Sequence, residues 1–399
     1  MKKASAKLTS VLLALVFVAM CVLSACGNRA REAAVEDSGW KTNYSYVFVH
    51  GLSGWGSYDD RYDTMPYWGM RTGDMIETFN ASGFTAAAAS VDPIGSAWDR
   101  ACELYAQLTG TRVDYGKAHS EKCLHDRYGE DYTGRALIAK WSAKDKINLV
   151  GHSFGGATTR LFTALLANGS EEERAATKKG DLSPLFEGGK QDWVYSVTSL
   201  AAPHNGTSAY NMPAGVDEDL SWFQKQMSSL MSSSIGSADS AYPRVSTDYA
   251  NHDLQIDYAM ELNRRIGTFD NIYYFSVPCS ATDKQEDGTY KPNDLMSAFF
   301  ANGATKMGKN TATTDGGFKV TSKWFDNDGL VNTISATAPF TDPSRTFDPE
   351  KDALSSVKPG VWQVLPTFRG DHMSIIGGLV QKTDVLQYYL DFMSRINSL

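Results

Sequence analysis

Cysteine is scarce in this sequence. Five occur in 399 residues, and the three beyond residue 26 (Cys102, Cys123 and Cys279) are an odd, widely spaced set. That excludes a disulfide framework as the scaffold, although one pair remains compatible with an extracellular setting. An excess of positive charge is also lacking. The formal net charge is −8, with acids and bases interspersed, which argues against nucleic acid as the partner. There is no internal repeat and no low-complexity block. The one prominent apolar run, Leu8 to Leu23, follows Lys2, Lys3 and Lys7 and ends at Ser24-Ala25. A basic start, a short apolar stretch and small residues at its end make a secretory signal, not a spanning helix.

The cysteine after that small pair makes the segment resemble a bacterial lipobox. Residues 1–25 are then a lipoprotein signal peptide, and Cys26 is the lipid attachment point. Residues 26–41 form a polar tether to the outer face of the cell membrane; the plainer alternative is an ordinary signal peptide and release from the cell. The remaining 42–399 segment is long for one domain but fits an elaborated α/β enzyme able to bury a large core.

Short apolar strands alternate with amphipathic helices, which predicts a mostly parallel central sheet with helices on both faces. Tyr44 to Val49 is β-branched and aromatic and stops at His50-Gly51. Lys146 to Val150 runs into Gly151, Trp193 to Ala202 is a third strand, and Asn271 to Val277 a fourth. Thr159 to Asn168 reads as a helix, with Leu161/Leu165 and Phe162/Leu166 paired at i, i+4 and Gly169 at the stop position. The stretch near 210–250 breaks the rhythm. Its apolar stripe Trp222, Phe223, Met227, Leu230 and Met231 suits either a core helix or a lid over a site.

Gly151-His152-Ser153-Phe154-Gly155 is the one G-x-S-x-G in the chain. A serine raised on a tight strand-to-helix turn needs small neighbours two residues either side, and here a strand precedes and a helix follows. Ser153 is therefore the candidate nucleophile of an α/β-hydrolase fold, in which acid and base follow in the order Ser, Asp, His. Of the later histidines, His372 lies in the polar turn Gly370-Asp371-His372 near the C-terminus, where a loop-borne base belongs; His204 precedes the plausible acids. Asp328, before Gly329 and an apolar stretch, is the chosen acid and Asp326 the runner-up. Charge that develops on a carbonyl oxygen needs two backbone donors. Phe154, after the nucleophile, supplies one, and Leu52 in His50-Gly51-Leu52-Ser53-Gly54-Trp55-Gly56 supplies the other.

These blocks resemble the zinc-containing thermostable lipases of bacilli and their staphylococcal relatives. The likeness runs from about Tyr46 to Gly377 and includes 50–56, Trp98-Asp99-Arg100-Ala101-Cys102-Glu103, 183–189, Ala202-Pro203-His204-Asn205-Gly206-Thr207, Asn327 to Thr333 and Asp371-His372. The resemblance implies Ser153, Asp328 and His372 as a triad, Leu52 and Phe154 as oxyanion donors, and triacylglycerol or fatty-ester substrates. It also implies a zinc-binding subdomain inserted near 95–135, with ligands at the matching positions Asp99, His119, His125 and Asp253. Without the resemblance, His119 and His125 are polar-segment histidines in no standard zinc spacing. Departures are visible too. The family's calcium-ligand positions hold Ser374 and, roughly, Leu379, so no calcium is expected. The stretch from Tyr210 to Ser246 is shorter than in the thermostable members, and Phe154 replaces a common glutamine.

The sequence thus reads as a triacylglycerol lipase or other carboxylic ester hydrolase. An acyltransferase using the same site, and a non-catalytic surface lipoprotein on a hydrolase scaffold, are the competing readings. The oligomeric state is not legible.

Overall fold

The run Ser45–Val49 has five residues of high strand propensity, four of them buried. It forms β1, the last but one strand of a seven-stranded sheet. The computed structural model describes residues 39–210 and 247–399. The signal segment, Cys26 and the Trp222–Met231 stripe lie outside the described residues.

The other strands are β2 (Ala86–Ala89), β3 (Ile147–His152), β4 (Val194–Leu200), β5 (Tyr273–Val277), β6 (Ser344–Thr346) and β7 (Trp362–Val364). Their order across the sheet is β6-β7-β5-β4-β3-β1-β2. All neighbouring pairs are parallel. A parallel sheet needs both faces covered, and its central strands accordingly read as near-continuous apolar runs.

On one face Phe48 stacks on Phe79 of α1 (Met75–Ala81) and meets Tyr389 of the C-terminal helix Val385–Asn397. Tyr46, on the same side of the pleat, donates its hydroxyl to the Asn397 side chain at 2.8 Å. On the other face lie α2 (Ala97–Thr109) and α3 (Phe154–Asn168), packed on one another. An antiparallel pair (Arg112–Asp114 with Tyr128–Asp131) and the short helix Lys117–Cys123 follow α2. Cys102, Cys123 and Cys279 are all buried free thiols.

Because the strands are parallel and in register, β1 and β3 end together, with Val49 opposite Gly151. Ligand sites in open α/β sheets lie at those carboxyl ends. The two loops that leave them carry His50-Gly51-Leu52 and Ser153.

Candidate active site

Ser153 joins β3 directly to α3 and adopts φ 55° and ψ −127°. An L-residue in the left-handed half of φ space is strained, and such strain persists where the surroundings impose it. The glycines two residues away are what permit it. A Cβ on Gly155 would stand 2.2 Å from the Val49 carbonyl oxygen, and one on Gly151 would stand 2.4 Å from the Gly155 carbonyl oxygen. Helix α3 thus starts at Phe154, five residues before its sequence-predicted start at Thr159. The intervening Gly155 and Gly156 hide a helix whose first turn packs against backbone.

Asp328 and His372 come from loops far apart in sequence and meet in the interior. His372 Nδ1 lies 2.8 Å from Asp328 Oδ2, with both side chains almost fully buried. The other carboxylate oxygen of Asp328 accepts the Leu330 and Val331 amides at 3.0 and 2.7 Å, and the His372 amide donates to the Asp328 carbonyl at 2.9 Å. Asp326 is committed elsewhere: its Oδ1 accepts from Ser280 Oγ at 2.6 Å and Thr282 Oγ1 at 2.8 Å. The His204 ring is buried against Trp362 and, among the described residues, makes no hydrogen bond through either nitrogen.

His152, beside the serine, ties the elements together. Its Nε2 faces the His372 carbonyl at 2.9 Å and so must carry the proton. Its Nδ1 is then the acceptor for the Tyr67 hydroxyl at 2.6 Å, and that hydroxyl oxygen accepts the Gly51 amide at 3.0 Å. Burial holds the His152 imidazole well below its usual range, so it stays neutral. Asp371 fixes the turn that carries His372, accepting from Ser374 Oγ at 2.7 Å and the Ser297 amide at 3.0 Å. Sequence reasoning assigned Tyr67 no role, and nothing in its spacing distinguishes it.

The amides expected to face an oxyanion have no acceptor among the described residues. Gly51 N is taken by Tyr67, Ser53 N by the Pro93 carbonyl and Gly54 N by the Gly51 carbonyl, leaving Leu52 N between them. Phe154 is the first residue of α3, so its N–H has no intrahelical partner. A Cβ on Gly51 would meet the Ser153 Cβ at 2.7 Å, which puts this loop against the serine.

A second polar cluster lies outside the catalytic loops. Ligand atoms of Asp99, His119, His125 and Asp248 all fall within 4.8 Å of one another. This corrects the fourth position, expected at Asp253. A bridge between Tyr249 and Gly95 holds Asp248 beside the start of α2, whereas Asp253 closes the one-turn helix Ala250–Asp253. The Asp253 carboxylate there accepts the Ala97 amide at 2.8 Å, at the N-terminus of α2. The two aspartates are five residues apart in a polar stretch, and sequence alone does not rank them.

The donor set fits a small divalent cation. His119 Nε2 lies 3.0 Å from Asp99 and 3.4 Å from Asp248; His125 Nε2 lies 3.8 and 3.4 Å from the same two carboxylates. Tetrahedral zinc with bonds of about 2.0 Å places its ligands about 3.3 Å apart. Among the described residues His125 Nε2 is buried with no hydrogen-bond partner while the Asp99 and Asp248 carboxylates face it, a costly arrangement that a cation relieves. Burial alone would depress the His119 imidazole, yet the Asp248 and Asp99 carboxylates raise it to about 11, so the cluster draws positive charge. The calcium positions are different. Ser374 donates its hydroxyl to Asp371 and accepts the Gln381 amide on its carbonyl at 2.9 Å, and the Lys382 ammonium is paired with Asp294.

Comparison with known proteins follows the same lines. The family described as "Lipase-like, C-terminal domain" matches residues 42–218 and 223–393. Lipase 1 of Staphylococcus aureus is 32% identical over 378 residues, covering 88% of this chain and 53% of the relative. A lipase of Staphylococcus epidermidis is 33% identical over 364 residues, covering 85% and 50%. The chain spans about half the length of these curated relatives. Among solved structures, EstA from Clostridium botulinum is 32% identical with a TM-score of 0.76, covering 90% of this chain and 88% of that one. Staphylococcus hyicus lipase is 30% identical with a TM-score of 0.74, covering 90% and 97%.

Proposed function

Since the chain belongs to the lipase-like C-terminal domain family, we propose that it is a serine hydrolase that cleaves carboxylic esters of fatty acids. The observation that carries this reading is the buried Asp328–His372 pair at the sheet edge where Ser153 occupies its strained turn. Ser153 Oγ attacks the ester carbonyl while His372 Nε2 takes its proton. Asp328 holds Nδ1–H, fixing the tautomer and stabilising the imidazolium. The carbonyl oxygen becomes an oxyanion, accepted by the Leu52 and Phe154 amides; one such donor is worth about 10²–10³ in rate. The imidazolium then protonates the departing alkoxide, and water attacks the acyl-enzyme with His372 as its base.

The names of the relatives, lipases and an EstA, support a lipid-ester substrate. The test is the initial hydrolysis rate on p-nitrophenyl esters from acetyl to palmitoyl, using soluble protein lacking the residues through Cys26. A triacylglycerol lipase shows rates rising towards the long chains, and an optimum at acetyl or butyryl makes the enzyme a short-chain esterase. Absence of hydrolysis across the series refutes the proposal.

Asp99, His119, His125 and Asp248 are the residues to hold a zinc ion; bound there, it supplies a closed structural cross-link between α2, the 117–125 segment and the bend at Asp248. Asp248→Asn is expected to lose stoichiometric zinc by metal analysis and to lower the unfolding midpoint by roughly 5–10 °C. Asp253→Asn should keep its zinc. The reverse pattern would restore Asp253 as the ligand. The Leu23-Ser24-Ala25-Cys26 run supports export with a lipid anchor at Cys26, which places the enzyme on the outer face of the cell membrane.

A further inference from the structure

We propose that Arg100 is the positioning residue of the oxyanion hole, holding the Leu52 and Phe154 amides at a fixed separation through one buried guanidinium. This rests on the hydrolase reading above and deepens it.

Arg100 is on α2, outside both catalytic loops, and is completely buried. A buried guanidinium is expensive and usually faces a carboxylate. The Glu103 and Asp92 carboxylates lie close enough to favour its charge, but its hydrogen bonds run in three directions, to two carbonyls and a hydroxyl. Nη2 donates to the His50 carbonyl, Nη1 to the Asp92 carbonyl at 2.8 Å, and Nε to Thr158 Oγ1 at 2.9 Å. Each contact leads to the proposed oxyanion hole. The His50 carbonyl belongs to the peptide that opens the loop carrying Leu52. Asp92 precedes Pro93, whose carbonyl accepts the Ser53 amide at 2.6 Å and so clamps that loop from its other side. Thr158 passes the contact on, its Oγ1 lying 3.3 Å from the Phe154 carbonyl. The guanidinium carbon also sits 5.1 Å from the centre of the Phe154 ring.

One planar fork therefore ties the loop after β1 to the N-terminal part of α3, through Thr158. Those two segments carry the two amides, and no other side chain among the described residues is bonded to both. Lysine cannot replace it, because its point-like ammonium does not span three fixed directions. Displacement of an oxyanion donor matters on a scale of about 1 Å, for which losses near 100-fold are typical.

The experiment compares Arg100→Lys, Thr158→Val and Thr158→Ser with the unaltered protein. Each is assayed on the preferred p-nitrophenyl ester and against an alkyl trifluoromethyl ketone, which adds to a nucleophilic serine as a tetrahedral adduct bearing an oxyanion. Arg100→Lys should lower kcat about 100-fold with KM within about twofold. Its Ki for the ketone should rise by a similar factor. Thr158→Val, which removes one arm and the relay to Phe154, should lose about 10-fold in kcat, and Thr158→Ser should restore it. A merely structural role would lower the unfolding midpoint while leaving kcat per folded molecule and ketone affinity alone, and that result overturns the inference. So would a loss expressed in KM. If Arg100→Lys fails to fold, the Val/Ser pair at 158 decides by the same criteria. Ser153→Ala, run alongside, separates the two failures. An active Ser153→Ala refutes the hydrolase mechanism itself, whereas an inactive one with unaffected Arg100 and Thr158 variants refutes this inference alone.

Discussion

Ser153→Ala is expected to lower kcat about a million-fold, to the residual rate that the oxyanion donors and substrate binding supply. The size of the effect follows from how the parts depend on one another. Without Oγ there is no acyl-enzyme, and His372 and Asp328 have no proton to move, so their contributions vanish with the serine. Stability should respond little or improve. Ser153 is held at φ 55°, and alanine in the same strained turn gives up no side-chain hydrogen bond made among the described residues. Steady-state kinetics on a p-nitrophenyl ester, with thermal unfolding followed in parallel, check both parts. A loss below about 100-fold in a folded variant would mean that another group does the attacking.

Asp328→Asn carries the second largest effect, about 10⁴-fold in kcat. The asparagine fits the same space, and its side-chain oxygen can still accept the Leu330 and Val331 amides. The group facing His372 Nδ1, however, becomes an NH₂ donor. That turns the imidazole to the other tautomer, with its proton on Nε2, where it cannot take one from Ser153. Asp326→Asn is the matched control. Its carboxylate is occupied by Ser280 and Thr282, so it should cost stability and spare kcat per folded molecule. Equal losses in kcat from the two variants would remove Asp328 from its assigned role.

How far the sequence discloses this site depends on how local each signal is. The nucleophile turn is local: a strand, two glycines and a helix in about twenty residues, each demanded by a steric fact that the structure repeats. The strands at 45–49, 147–152, 194–200 and 273–277 are also legible, because β-branched and aromatic runs in a parallel sheet are buried on both faces. Strand β2 is not. Four consecutive alanines favour helix by propensity, and only pairing with β1 and close contact with the 50–57 loop make them a strand. A Cβ on Gly56 would stand 2.1 Å from the Ala89 carbonyl oxygen, so β2 is built against backbone and wants small side chains. The short strands at 344–346 and 362–364 carry too little pattern to read.

Residues that act across the fold are harder still. Asp248 and Asp253 are equivalent in composition, and the bridge from Tyr249 to Gly95 is a long-range pairing that no spacing announces. Tyr67 and Arg100 likewise gain their roles from backbone carbonyls, amides and ring contacts contributed by distant segments. The two residues that the family resemblance paired, Asp328 and His372, do meet in the structure. The acid gathered with Asp99, His119 and His125 is Asp248 and not the expected Asp253, because two acids compete within one short segment.

The central claim is that Ser153 is the atom source of a covalent acyl intermediate. The direct measurement is labelling of the folded protein with an alkyl fluorophosphonate, followed by peptide mass spectrometry. The account predicts one phosphonate per chain, on the peptide containing Gly151-His152-Ser153, with esterase activity lost in proportion to labelling and neither labelling nor activity in Ser153→Ala. A label on another residue, or ester hydrolysis that survives stoichiometric labelling at Ser153, would contradict it.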